Sequence, residues 1–375
     1  MLESNFKNNI LNLISKLEVV SEIDVKAIMG VDGFVDQILH VVETRENAEK
    51  YTRMKYIKDF GDKISKAAGL STSVEFIPIN SKLGGNGPIM TNALASFGLD
   101  VTYIGALGVP SIDAVFQPML DKCKLISIAN PGQTDAVEFL DGKLMIGKRQ
   151  SLKDVNWDKL KETVGIENLI ELVDESKLIG LENWTMLPYM TDIWRGMLTE
   201  VLPHINANKE KYIFFDLADP EDRLKVDIIE ALSVIQEFSS KFKVILGLNL
   251  KEAIEMGDIL KVSDGFAPID LKTLSTEISK MLNIYCLVVH PVKEAVAVCD
   301  GEYFHTLGPF EPNPKLTTGA GDNFNAGFCL GQVLGLSTKE SLIIGTATSG
   351  FYVRNAASPT FPQLIEFLNQ WIEKE

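Results

Sequence analysis

At 375 residues, 46% hydrophobic and 23% charged, the chain carries enough apolar material for one large folded unit and is not composed like a disordered polymer. Acidic residues outnumber basic ones 51 to 36, and the resulting formal charge of −15 repels a nucleic-acid backbone. No stretch approaches the roughly 20 apolar residues that cross a bilayer, and Met1 to Leu17 lacks the basic start and apolar run of a leader. The expectation is a cytoplasmic protein of one domain spanning 1–375, with neither nucleic-acid nor membrane partners. Cys123, Cys286, Cys299 and Cys329 are widely spaced, without a C-x-x-C pair or a histidine cluster, and are expected to be buried free thiols.

In chain order, about 25 residues with a helical pattern precede the first strand, an extra piece that could serve a homodimer contact. Short, continuously apolar runs follow at Lys26–Val31, Val101–Ala106, Lys177–Leu181, Tyr212–Leu217, Lys243–Leu248 and Tyr285–His290, with helical patterns between them. This alternation predicts an α/β fold with a mainly parallel, doubly wound sheet. Gly87 and Pro88 open one helix, with Gly87 as its expected N-cap, and Gly98 closes it; Ser337 and Glu340 form the capping-box pattern of another.

One segment breaks the rhythm. Asp141-Gly142 predicts a two-residue hairpin turn within Asp135–Lys148, placing Phe139 opposite Leu144 and Val137 opposite Ile146, with Glu138 and Lys143 on the other face. Segments about 35–42, 74–82 and 134–149 are together expected to build a small antiparallel β lid.

Near the C-terminus, Thr317, Thr318, Gly319, Ala320, Gly321 and Asp322 lead into a helical pattern from Asn323. Gly319, Ala320 and Gly321 have almost no side chains, so backbone N–H groups can converge at a helix N-terminus and attract an anion. Asp322 beside them could accept the proton of an attacking hydroxyl. Taken alone, the string fits a simple glycine turn opening a helix equally well.

That string, continued by Asn323 and Phe324, resembles the C-terminal signature of the ribokinase, or PfkB, family of carbohydrate kinases. Three further segments agree in order. Gly30-Val31-Asp32-Gly33-Phe34-Val35-Asp36 resembles the family's first strand and acceptor-binding aspartate, with Asp36 the better match and Asp32 the alternative. Gly84-Gly85-Asn86 through Gly108 resembles the N-terminal signature, although Asn86 could also merely cap its helix. Asn249 and Glu252 match N-x-x-E, which is also a capping pattern.

The resemblance implies a three-layer αβα core with a β lid that closes over substrate, and transfer of the γ-phosphate of ATP, with Mg²⁺, to a hydroxyl of a sugar or sugar-like alcohol. It assigns Asp322 as general base and the Gly319, Ala320 and Gly321 amides as anion hole, and Asp36 or Asp32 with Gly84, Gly85 and Asn86 to the acceptor. Asn249, Glu252, Thr317, Thr318 and Asn355 fall to the nucleotide, with Glu252 acting indirectly on Mg²⁺. A nucleoside acceptor, ADP as donor, or a non-catalytic sugar and nucleotide sensor are the alternatives.

The chain also departs from the family. Leu316 stands where an aspartate usually opens the C-terminal string, which argues against a monovalent-cation requirement. Pro291-Val292-Lys293-Glu294 replaces a glycine-rich turn beside the nucleotide, and Ala218 replaces an asparagine two residues after Asp216, itself read as either a site residue or a solvated turn carboxylate. The four histidines, His40, His204, His290 and His305, are scattered and take no catalytic role.

Overall fold

The computed structural model describes residues 4–206, 209–262 and 270–374. Nine strands make one large sheet, in the spatial order β14 (Glu302–Leu307), β13 (Glu294–Cys299), β12 (Cys286–Val289), β11 (Lys243–Leu248), β10 (Tyr212–Asp216), β9 (Leu178–Leu181), β1 (Lys26–Val31), β5 (Asp100–Gly105) and β6 (Lys124–Ser127). Neighbours from β12 to β6 are parallel, and only β13 and β14 add antiparallel edges. Every strand expected from an apolar run is present within one residue at each end.

Those runs are continuously apolar because both faces of the sheet are covered. Ile213 and Phe215 of β10 enter a core shared with α4 (Trp157–Val164), α5 (Ile166–Glu175), α6 (Met190–Gly196), α7 (Lys225–Glu237), α8 (Leu250–Ile259) and α9 (Leu271–Leu282). Tyr212 and Phe214, from the same strand, enter the opposite core with α1 (Ser4–Glu18), α3 (Asn86–Phe97), α10 (Ala320–Val333), α11 (Thr338–Asn355) and α12 (Phe361–Lys374). The result is the three-layer α/β architecture expected.

The N-terminal piece, α1, belongs to that second core. Ile10, Leu13, Ile14 and Leu17 are buried on one face, and Phe6 meets Trp371 of α12 edge-on at 5.6 Å. Its apolar face is therefore covered within the chain.

A second sheet of five strands, with helix α2 on one side, is separate from the first. β2 (Phe34–Arg45) pairs with β3 (Tyr51–Arg53), β4 (Phe76–Gly84) and β7 (Gly132–Glu138), and β7 pairs with β8 (Lys143–Lys148). The pairings are antiparallel except β2 with β7, which is parallel. Phe60 of α2 (Ile57–Ser65) packs against Phe139 and Phe76 to give this sheet its own small core.

Two local expectations are corrected. The β7–β8 register pairs Val137 with Leu144 and Glu138 with Lys143, two residues away from the predicted pairing. The connection is a four-residue loop from Phe139 to Gly142, in which Phe139 N–H donates to Gly142 O at 2.8 Å and Asp141 is drawn off to accept from Ile57 N–H at 3.0 Å. A shift of two preserves the faces, so Glu138 and Lys143 still share one. Second, Cys286 and Cys299 are directly opposed on β12 and β13 and form a disulfide, while Cys123 is only half-buried; Cys329 alone is a buried free thiol as expected. Two cysteines 13 residues apart meet because the tight β12–β13 turn puts them in register, which spacing alone does not reveal.

Among the described residues no helix is long and apolar enough to cross a membrane.

Candidate active site

The chain builds outward from β1 to β5 and β6, then returns to the other side with β9. The β1/β9 boundary is thus a topological switch, where the C-terminal ends of parallel strands leave a crevice. Asp32, Glu182, Asp216 and Asn249 follow or end β1, β9, β10 and β11 there.

The Thr317–Asp322 turn meets this edge at the N-terminus of α10. Gly319 is the N-cap with φ of 90°, and a Cβ there would come within 2.8 Å of Tyr352 Oη, which itself donates to Thr318 O at 2.8 Å. Asn323 Nδ2 donates to Gly319 O at 2.8 Å and fixes the turn from the helix side. The Ala320 N–H donates within the turn, to Thr317 O at 3.1 Å. Asp322, in the first turn of α10, is buried, and desolvation pushes its pKa up to about 7 despite a hydrogen bond from Asn86.

Asn86 supplies that bond from α3, Nδ2 to Asp322 Oδ1 at 2.9 Å. It is the first residue of α3; the N-cap is Gly85, with φ of 97°, instead of Gly87. The correction follows from Asp32, whose Oδ1 accepts from Gly87 N–H at 3.0 Å and so draws the helix start two residues earlier.

Asp32 and Asp36, the two aspartates weighed for the acceptor, stand in different surroundings. Asp32 is fully buried, and besides Gly87 it accepts from Tyr103 Oη at 3.1 Å and Asn183 Nδ2 at 2.7 Å, which secures the start of α3 to the sheet. Burial raises its pKa to about 6. Asp36 stands on β2 of the small sheet opposite Lys82 and Thr134, buried and with its pKa raised by desolvation. Gly84 and Gly85 make room for both: a Cβ on Gly84 would lie 2.5 Å from the Asp36 carboxyl, and one on Gly85 2.6 Å from Asp32 Oδ2.

Behind Asp322 lie further acids. Asp216 is buried and not a solvated turn residue; its Oδ1 accepts from Ala218 N–H at 2.8 Å and its Oδ2 from Asn325 Nδ2 at 3.2 Å. Glu182 is 1% exposed, and neither carboxyl oxygen has a hydrogen-bond partner among the described residues. Desolvation first, then the charges of Asp32, Asp322 and Asp216, hold its pKa well above the usual carboxylate range. Asp216 is raised for the same reasons, with Glu252 its strongest charged neighbour.

A cleft of about 570 Å³ opens on one side of Asp322. Asn86, Thr317, Thr318, Gly319, Ala320, Gly321, Asn249 and Glu252 all line it, so three segments far apart in sequence converge. Asn249 and Glu252 also close a reciprocal capping box on α8, and Glu252 Oε1 accepts from Asp219 N–H at 2.9 Å, so its carboxyl is engaged structurally. Asn355 sits at the end of α11, donates to Phe351 O at 2.9 Å and is not among the lining residues, and neither are Asp36 and Gly84. Also along the cleft, Val292 is 85% exposed, Lys293 caps the Phe310 ring at 4.8 Å, and His290, whose ring lies tilted against Phe324 at 4.8 Å, is held neutral by burial with a pKa of about 4.

Sequence reading passed over Glu182, Lys82 and Lys143. Glu182 follows an apolar strand end and could have been noticed as the one acid there; the lysines lie on exposed-looking strands, and only the register of the small sheet brings them to Asp36.

A model of the prokaryotic ketohexokinase family matches residues 16–371. A ketohexokinase of Haloferax volcanii is 29% identical over 354 residues, 93% of this chain and 92% of that protein. Among solved structures, a ribokinase of Arabidopsis thaliana complexed with ribose and ATP is similar with a TM-score of 0.62 at 15% identity, covering 92% of this chain and 99% of that one. A nucleoside kinase of Methanocaldococcus jannaschii gives 0.61 at 13% identity, covering 93% and 100%. At these identities the structural likenesses speak for the ribokinase fold.

Proposed function

This chain belongs to the prokaryotic ketohexokinase family of ribokinase-like carbohydrate kinases, and we propose that it transfers the γ-phosphoryl group of ATP to a hydroxyl of a ketohexose. The observation that carries this reading is Asp322: a buried carboxyl with a pKa near 7, lining the cleft in the first turn of a helix whose preceding turn, Thr317 to Gly321, lines it too. In this reading the triphosphate lies along the cleft with its terminal phosphate at the Thr317–Gly321 turn. Asp36 receives the sugar from the small sheet, which acts as the lid. Asp322 takes the proton of the attacking hydroxyl, and the helix dipole and turn amides favour the charge on the phosphoryl group.

Among the described residues no group of three or more His, Cys, Asp or Glu side chains could hold a metal ion. Glu252 and Asp216, two buried carboxyls that both line the cleft, are the side chains that would lie near a Mg²⁺ ion brought in by the nucleotide. When bound, such an ion neutralises charge between the β- and γ-phosphates. A cytoplasmic location agrees with these substrates.

The test is turnover of ATP and of ADP across a panel of ketohexoses, aldoses and nucleosides, with Asp322→Asn alongside. Phosphorylation of a ketohexose with ATP, cut by about 10²–10⁴-fold in the variant, supports the reading. Undiminished transfer by Asp322→Asn removes Asp322 as the base, and binding of sugar and nucleotide without product would make the chain a sensor.

A further inference from the structure

Two lysines on the small sheet face the site, and neither forms an ion pair among the described residues. Lys82 of β4 stands directly opposite Asp36 of β2. Lys143, the first residue of β8, donates from Nζ to Thr318 Oγ1, a side-chain bridge between positions 175 apart that joins the small sheet to the turn before α10. In a chain with a net charge of −15, unpaired ammonium groups beside a phosphate-binding turn stand out chemically. Burial and the nearby charge of Lys82 push the Lys143 pKa down, and Glu138, its partner on β7, together with Asp36 offsets that only in part. A ligand anion placed between them would relieve that repulsion and make charge-assisted hydrogen bonds.

We propose that Lys143 is a catalytic cation carried on the β7–β8 hairpin, resting on Thr318 in the free protein and moving onto the terminal phosphoryl group when a nucleoside triphosphate fills the cleft. Lys82 covers the acceptor side of the same group. The inference rests on the sugar-kinase reading above. During transfer the bond from the γ-phosphorus to the bridging oxygen of the departing diphosphate breaks as the bond to the acceptor oxygen forms, and the acceptor proton goes to Asp322. Lys143 exchanges no proton; its three N–H donors follow the equatorial oxygens, where the transferred charge is spread. Because Lys143 belongs to the small sheet, contact with the terminal phosphate also couples closure of that sheet to a triphosphate and not to a diphosphate.

The experiment compares the parent protein with Lys143→Met, Lys143→Arg and Lys82→Met. Steady-state rates with ATP and sugar are measured beside calorimetric binding of ADP and of a β,γ-methylene ATP analogue, each with Mg²⁺. Lys143→Met is expected to lose about 10²-fold in kcat with little change in the sugar KM, to bind ADP as the parent does, and to lose the parent's added affinity for the ATP analogue. Lys143→Arg should recover much of both, and Lys82→Met should act mainly on the sugar KM. Lys143→Met that keeps the parent's kcat and its preference for the analogue over ADP overturns the proposal. If the parent phosphorylates no sugar, the kinase reading fails, and the nucleotide-binding comparison still decides the role of Lys143.

Discussion

Asn86 Nδ2 lies 2.9 Å from Asp322 Oδ1, joining the first residue of α3 to the first turn of α10 across 236 positions of sequence. The bond stabilises the charged carboxylate and so opposes the desolvation that raises the Asp322 pKa. A base with a pKa near 7 is half protonated at neutral pH. For the parent, kcat/KM is expected to rise with pH to a plateau, falling about tenfold per unit below a midpoint near 7. Asn86→Ala removes the opposing bond and should move that midpoint upward; a midpoint that stays in place would separate Asn86 from the base.

Gly84 and Gly85 can be tested apart. A methyl group at Gly84 meets the Asp36 carboxyl, so Gly84→Ala should raise the sugar KM strongly at modest cost in melting temperature. Gly85 has φ of 97° beside the buried Asp32, so Gly85→Ala should destabilise the protein by about 1–3 kcal/mol in thermal or denaturant unfolding.

Stability should depend on pH in the direction opposite to that of a salt-bridged acid. The Asp322 carboxyl has an ordinary value of 3.8 and a folded value of about 7, and Asp32 rises to about 6. Between those limits the folded state binds more protons than the unfolded one, so their contribution is present below about pH 4 and is lost as pH rises through 6 and 7. The melting temperature is expected to fall between pH 5.5 and 7.5, and Glu182→Gln, which removes a charge penalised by burial and by neighbouring acids, should raise it at pH 8. A flat profile in both proteins would count against a buried acid cluster.

The N-terminal helix offers a prediction about folding. Leu13 is fully buried between α1 and the C-terminal core, and Leu13→Ala should cost about 2–5 kcal/mol in denaturant unfolding. A helix serving only contacts between copies would leave monomer stability unchanged.

Apolar runs marked six of the nine strands of the large sheet, because a strand covered on both faces is apolar nearly throughout, and Lys26–Val31 and Lys243–Leu248 were legible to the residue, whereas β6 and the edge strands β13 and β14 were not foreseen. Local turn chemistry was equally legible at Gly319, Gly98 and Ser337, where the signal is a property of a few adjacent residues. Tertiary structure decided what depends on distant partners. Asp141 stayed in the β7–β8 loop but turned its carboxyl to Ile57 N–H, Cys286 met Cys299 through strand register, and Asp32 became bonded to the start of α3 while Asp36 stands on the small sheet. Glu182 carried only the weak signal of an acid after an apolar strand and Lys143 none: one gained its raised pKa from burial and then from the acids around it, the other its place from a β-strand folded over the Thr318 turn. Burial and the juxtaposition of remote charges are properties of the folded chain, and no window of sequence contains them.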